Sequence, residues 1–306
     1  MSQDPKVLSG VFCASLTPVN EDLSANHSAL AGHCKWLLDN GCDGLGVLGT
    51  TGEANSFSLS ERLEILDTLA ENGVGGDKML PGVGCCAIPD TVELTKKALE
   101  LGAPGVLMLP PFFYKGVSDD GLFDAYSEII ERVGDSNLRV YLYHIPPQSQ
   151  TPLSVDLVGR LINAFPKTVV GLKDSSGDFN NMKTLVDSFP GFAVFSGGDQ
   201  FLRPIMQAGG AGCITAVCNI APHMLREIYD NWKSDEAEAL QDRMTALRDL
   251  IVSFKQFPAL RTVVADNTGD ANWLRPRPPL RAIPEDKQAE LLKALEDINF
   301  TLPKAA

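Results

Sequence analysis

Eight short apolar segments recur along the chain, each ending in small or polar residues and each followed by a stretch of helical character. They span residues 11–19, 44–49, 79–86, 105–111, 139–146, 169–176, 192–199 and 212–219. The runs are continuously apolar rather than alternating, as parallel strands covered on both faces must be. The intervening stretches carry helix signals. Ser58, Leu59, Ser60 and Glu61 read as a capping box, after which Leu59, Leu63, Leu66 and Ala70 fall on one helical face. Pro89 and Asp90 open another helix, which ends at Gly102.

Eight strand–helix alternations predict an α/β protein: a TIM (β/α)8 barrel over residues 1–225, with a C-terminal helical extension over 226–306 broken by the proline-rich run at 275–279. The competing architecture, an open doubly wound sheet, usually carries a phosphate-binding glycine loop after its first strand. Residues 16–20, Leu-Thr-Pro-Val-Asn, offer none.

Composition narrows the partners. A hydrophobic share of 44% and a charged share of 21% are ordinary for a globular domain. A net charge of −13 opposes attraction to nucleic acid or anionic membranes, and an anionic substrate then needs a local positive site. The seven cysteines are odd in number, lie mostly in apolar surroundings, and are not spaced with the four histidines as zinc ligands. That usage fits a reducing cytoplasm. The first ten residues lack a basic segment followed by an apolar core, and no stretch approaches the roughly 18 apolar residues of a membrane span.

Active sites of such barrels lie at the C-terminal strand ends. Lys173 follows the apolar run 169–172 and so emerges from a buried strand, where desolvation favours the neutral amine that attacks carbonyls. The alternative is an ion pair with a neighbour such as Asp174. Tyr143, near the end of the preceding strand, is either a proton carrier or a packing residue; His144 should face the other way and be structural. Residues 49–53, Gly-Thr-Thr-Gly-Glu, form a tight turn whose amides and the hydroxyls of Thr50 and Thr51 suit a carboxylate. The same glycines and threonines also suit a purely structural turn. Residues 196–200, Ser-Gly-Gly-Asp-Gln, either bind substrate hydroxyls or cap a helix. Lys115 lies in a longer loop, where solvation is its expected state. Serine-hydrolase, Walker and metalloprotease motifs are all missing from the sequence.

Together, residues 49–53, the Tyr143-x-Ile145-Pro146 run and residues 171–178, Gly-Leu-Lys-Asp-Ser-Ser-Gly-Asp, resemble the dihydrodipicolinate synthase and N-acetylneuraminate lyase family in order and spacing over essentially the whole chain. The resemblance implies a class I lyase in which Lys173 forms an imine with pyruvate or another 2-oxo acid. It implies that Thr50 and Thr51 bind the carboxylate and that Tyr143 carries the proton. Ser175, Gly197, Asp199, Gln200 and Ile214 would then contact substrate. No metal or organic cofactor is implied, and the expected assembly is a homotetramer.

Two positions depart from the lysine-pathway synthases: Phe113, with Tyr114 next to it, stands where they carry a loop tyrosine, and Gln148 where they carry an arginine. The run Ile145-Pro146-x-x-Ser149 is similar to the sugar-acid lyases, yet Gln200 stands where the sialic acid lyases carry an acidic residue and Ala216 where they carry a serine. The expectation is therefore an aldolase or dehydratase of a 2-keto-3-deoxy sugar acid or similar hydroxylated 2-oxo acid. The alternatives are a dihydrodipicolinate synthase using pyruvate and aspartate semialdehyde, and a catalytically silent barrel that binds 2-oxo acids.

Overall fold

The computed structural model describes residues 7–303. Seven parallel strands share one sheet: β1 (Gly10–Cys13), β2 (Gly44–Leu45), β3 (Val106–Met108), β4 (Val140–His144), β5 (Val169–Asp174), β6 (Ala193–Ser196) and β7 (Gly212–Thr215). Their order is β2-β1-β7-β6-β5-β4-β3, which leaves β2 and β3 at the edges. The segment at 79–83 joins those edges. The N–H groups of Leu80 and Gly82 donate to the carbonyls of Leu45 and Val47, both at 2.8 Å. On the other side the Leu107 N–H donates to Pro81 O at 2.8 Å and the Val83 N–H to Leu107 O at 3.0 Å.

The sheet thus closes into the expected barrel, but its third segment makes isolated bridges rather than a regular ladder strand. Pro81 has no N–H to give. A side chain at Gly82 would put its Cβ 2.3 Å from Leu48 O, so the close approach of the two backbones requires glycine there.

Continuous apolarity of the strands reflects two buried faces. Phe12, Tyr141, Tyr143, Phe195 and Ile214 fill the lumen, while Val11, Cys13, Leu172 and Cys213 pack outward against the helices. The helix Leu59–Glu71 has its capping box: Ser58 N–H donates to Glu61 Oε2 at 2.7 Å, and Ser58 Oγ accepts from the Glu61 N–H at 3.3 Å. Its core face is rotated from the expected one. Arg62, Ile65, Leu66 and Leu69 are buried, whereas Leu59, Leu63 and Ala70 are only partly so. The rotation has a polar cause: the Arg62 guanidinium reaches inward to Gly82 O at 2.8 Å and Cys85 Sγ at 2.9 Å. The helix Ile88–Glu100 starts with proline in its first turn, and Gly102 beyond its end has a φ of +82°.

Beyond β7 the chain is helical, through Pro222–Asn231, Ala237–Ser253, Gln256–Thr268 and Glu285–Asp297. Position 225 falls inside the first of these. Met244, Leu247, Leu260 and Trp273 share one buried core with the outer face of the barrel. Among the described residues no helix is long and apolar enough to cross a membrane. The expectation about the first ten residues falls partly on 1–6, which lie outside those described. All seven cysteines are free, and only Cys86 is exposed.

Candidate active site

Strand alternation decides where the polar residues of β4 and β5 point. Tyr143 and Lys173 are direct partners in the ladder, and Lys173 also pairs with Phe195 of β6. All three side chains therefore enter the lumen at its C-terminal end. The Lys173 Nζ lies 4.5 Å from the centroid of the Tyr143 ring. Both residues are buried, at 4% and 3% exposure, so the amine is shielded from bulk water on all but its cavity side.

The alternative partner, Asp174, points outward. Its Oδ1 accepts from the Ser176 N–H at 2.8 Å and its Oδ2 from Asn181 Nδ2 at 2.6 Å. Among the described residues no carboxylate forms an ion pair with Lys173. His144 also points outward, and its Nδ1 accepts from the Leu153 N–H at 3.0 Å, a structural role. Beneath the lysine, a Cβ at Gly171 would lie 2.5 Å from the Tyr141 ring. Glycine there lets the aromatic floor rise directly under the amine.

The turn after β2 faces this pair. Thr50 Oγ1 lies 3.3 Å from Tyr143 Oη, a hydrogen bond in either direction. The turn closes through Glu53 N–H donating to Thr50 O at 3.1 Å and Ala54 N–H to Gly49 O at 3.2 Å. Leu48 and Glu53 both adopt positive φ, at 55° and 57°, a strained conformation for residues with a Cβ that the surroundings must hold.

They are held from the far end of the chain. Glu53 is buried and paired with the buried Arg261, whose Nε donates to Glu53 Oε1 at 2.9 Å and whose Nη2 reaches the same oxygen. Arg261 Nη2 also donates to Thr17 O at 2.7 Å, and the Arg277 N–H donates to Glu53 Oε2 at 2.9 Å. Burial pulls the Arg261 guanidinium down from its ordinary range, opposed by the adjacent carboxylate.

The threonine turn, Tyr143 and Lys173 border a cavity of about 280 Å³. Thr50, Thr51, Tyr143, Lys173, Ser175, Gly197, Asp199 and Gln200 all line it. Ile214 does not: it is fully buried in the lumen layer beneath. Gly197 is bound closely to its neighbour, since a Cβ there would sit 1.9 Å from Ser175 Oγ. Asp199 is almost wholly buried, and burial pushes its carboxyl up to about 6 against the opposing influence of Thr215 and Arg248. Asp199 Oδ1 and Gln200 Oε1 are buried without a hydrogen-bond partner among the described residues.

Sequence reasoning singled out Gln148 but missed the rest of the outer wall. Gln148, Arg248, Gln256 and Phe257 line the same cavity, the last three from the C-terminal helices. Lys115 stays outside it, donating to Ser149 O at 2.7 Å. Phe113 and Tyr114 stand exposed at 71% and 75%, packed edge to face on one another.

A model of the dihydrodipicolinate synthetase family matches residues 7–298. The chain belongs to that family. It is 32% identical to a protein of Chloroflexus aurantiacus named as an uncharacterized DapA-like lyase, over 94% of this chain and 96% of that one. It is 28% identical to a 4-hydroxy-tetrahydrodipicolinate synthase of Methanopyrus kandleri, over 96% and 97%. The crystal structure of dihydrodipicolinate synthase from Agrobacterium tumefaciens str. C58 superimposes with a TM-score of 0.88 at 32% identity, covering 94% of this chain and 99% of that one. That of dihydrodipicolinate synthase from Acinetobacter baumannii complexed with pyruvate gives a TM-score of 0.86 at 26% identity, covering 96% and 100%. Members of the family are class I lyases that work through a lysine Schiff base, and this chain is an enzyme of that kind.

Proposed function

We propose that Lys173 is the imine-forming lysine and that the enzyme cleaves or dehydrates a 2-keto-3-deoxy sugar acid or a similar hydroxylated 2-oxo acid. The observation that carries this is the pairing of Lys173 with Tyr143 in register, with the tyrosine hydroxyl held by Thr50. In this reading the neutral amine attacks the 2-oxo carbon, forming a C–N bond and a carbinolamine. Tyr143 then protonates the departing hydroxyl, which leaves as water. The resulting iminium is an electron sink. In retro-aldol cleavage Tyr143 takes the proton of the C4 hydroxyl, the C3–C4 bond breaks, and its electron pair moves into the enamine. Dehydration instead removes a C3 proton and expels the C4 hydroxyl.

Thr50 and Thr51 take the carboxylate of the 2-oxo acid, and Ser175, Gly197, Asp199 and Gln200 meet the hydroxylated chain. Ile214 supports the lumen floor behind them. Because the iminium accepts the electrons, the reaction needs neither metal nor organic cofactor. The test is reduction with borohydride in the presence of pyruvate, followed by peptide mass spectrometry. An adduct on Lys173 is expected, and an adduct on another lysine would sink the assignment. A panel of 2-keto-3-deoxy acids then separates cleavage from dehydration.

A second reading, condensation of pyruvate with aspartate semialdehyde, is favoured by the relatives named as synthases. Against it stands Gln148 on the cavity wall, a neutral amide that cannot form the charge-assisted contact of a guanidinium. Appreciable turnover of that substrate pair in a coupled assay would decide for it. The proposal extends to a cytoplasmic homotetramer, supported by the exposed Phe113–Tyr114 pair and checked by light scattering after gel filtration.

A further inference from the structure

The cavity holds two side-chain cations. One is Lys173, at its inner end; the other is Arg248, from the helix Ala237–Ser253. Arg248 shares the wall with the amides of Gln148 and Gln256. Among the described residues its ion pair is with the adjacent and largely exposed Asp249, at 2.7 Å through Nη1, and its charge is also felt by Asp199. A guanidinium has five N–H donors, so that contact leaves most of its fork available.

The cavity also does not end there. Gln148, Gln256 and Phe257 line both it and a neighbouring hollow of about 810 Å³. Between the two, Lys255 adopts φ 68° and ψ 101° as the residue entering the helix Gln256–Thr268. That is an unfavourable backbone for a residue with a Cβ, and Lys255 lines the larger hollow. The site is therefore built for a molecule longer than a bare 2-oxo acid. In a chain of net charge −13, an arginine turned onto such a wall is the positive element available for a second acidic group.

We propose that Arg248 determines specificity by binding a carboxylate at the far end of the substrate, so that the preferred substrates are dicarboxylic 2-oxo acids. A carboxylate suits the wall better than a phosphate, because Arg248 is a single guanidinium flanked by neutral amides, and Asp199 on the same cavity would oppose a more highly charged group. The inference rests on imine formation at Lys173 and adds the second anchor to it.

The test competes other 2-oxo acids against pyruvate for borohydride capture on the wild-type chain. The probes are 2-oxoglutarate against 2-oxopentanoate and 2-oxoadipate against 2-oxohexanoate, pairs differing only in the terminal carboxylate. In at least one pair the dicarboxylate should compete at a concentration about 10- to 100-fold lower, as expected of a charge-assisted contact. Arg248→Gln should bring that ratio close to one, and Arg248→Lys should restore part of it. Equal competition within both pairs, or a ratio that survives Arg248→Gln, overturns this assignment while leaving the Lys173 imine intact. If pyruvate itself gives no adduct on the wild-type chain, the Schiff-base reading falls and this one with it.

Discussion

The two ends of the cavity are built from different material. The inner end, Lys173, Tyr143, Thr50 and Thr51, stands on strand ends and a tight turn, and its lysine and tyrosine are almost wholly buried. The outer end, Gln148, Arg248, Gln256 and Phe257, comes from a short helix after β4 and from helices beyond the barrel. Strand ends are fixed on both sides by hydrogen bonds, so they suit a reaction that tolerates little displacement of its atoms. Helices packed on the rim can change residue without disturbing the ladder, so they suit the choice of substrate.

The sharpest division between the ends comes from Lys173→Ala. Turnover should fall by roughly 10^4-fold or more and borohydride capture should vanish; a variant that kept its activity would rule out the imine mechanism. Tyr143→Phe should cost turnover about 10²- to 10⁴-fold while slow adduct formation persists, which single-turnover trapping can follow.

The link between the ends is tested by Arg261→Met, which strands the Glu53 carboxylate in the core. A loss of about 3–5 kcal/mol is expected from urea denaturation, together with weakened pyruvate capture as the threonine turn relaxes. A change below about 1 kcal/mol would mean the pair does not hold the turn.

The smallest effect concerns Asp199, whose folded value of about 6 lies above its ordinary 3.8. Its neutral form favours the fold at low pH, and that contribution is lost as pH rises through about 6. Measured as the difference between the wild type and Asp199→Asn in denaturation, the wild type should therefore lose up to about 3 kcal/mol between about pH 3.8 and 6. His33 acts with the opposite sign. Burial pulls it from 6.5 to about 4, so its contribution is complete above 6.5 and fades as pH falls toward 4. Comparing the variant with the wild type isolates the aspartate.

The inner end was readable because local chemistry encodes it. A lysine closing an apolar run and a tyrosine near the end of the preceding one are visible within a few residues, and alternation predicted that His144 faces away from Tyr143. The eight segments likewise announced the barrel, with Pro81 spoiling only the regularity of the third. Periodicity misplaced the buried face of Leu59–Glu71 because it treats Arg62 as a surface residue, whereas its guanidinium finds Gly82 O inside. Ile214 was expected at the ligand and lies one layer below it.

Apart from Gln148, which the run after Tyr143 brought into view, the outer end carried no such local signal. Glu53 and Arg261 are 208 residues apart, and Arg248 sits on a helix whose sequence looks like any solvated amphipathic one. Only the fold pairs the first two and brings Arg248 to the cavity.

The Glu53–Arg261 pair also bears on how this chain could be cut or recombined. Position 225 looks like a seam when the chain is read in order, yet one buried contact stitches the threonine turn after the second strand to a helix well past that point. Exchanging the C-terminal helices for those of a relative would import a new outer wall and, unless an arginine arrives at the same place, would unfasten the inner one. Substrate preference and catalytic competence are thus inherited together, and chimaeras should be designed with residues 53 and 261 as a single unit.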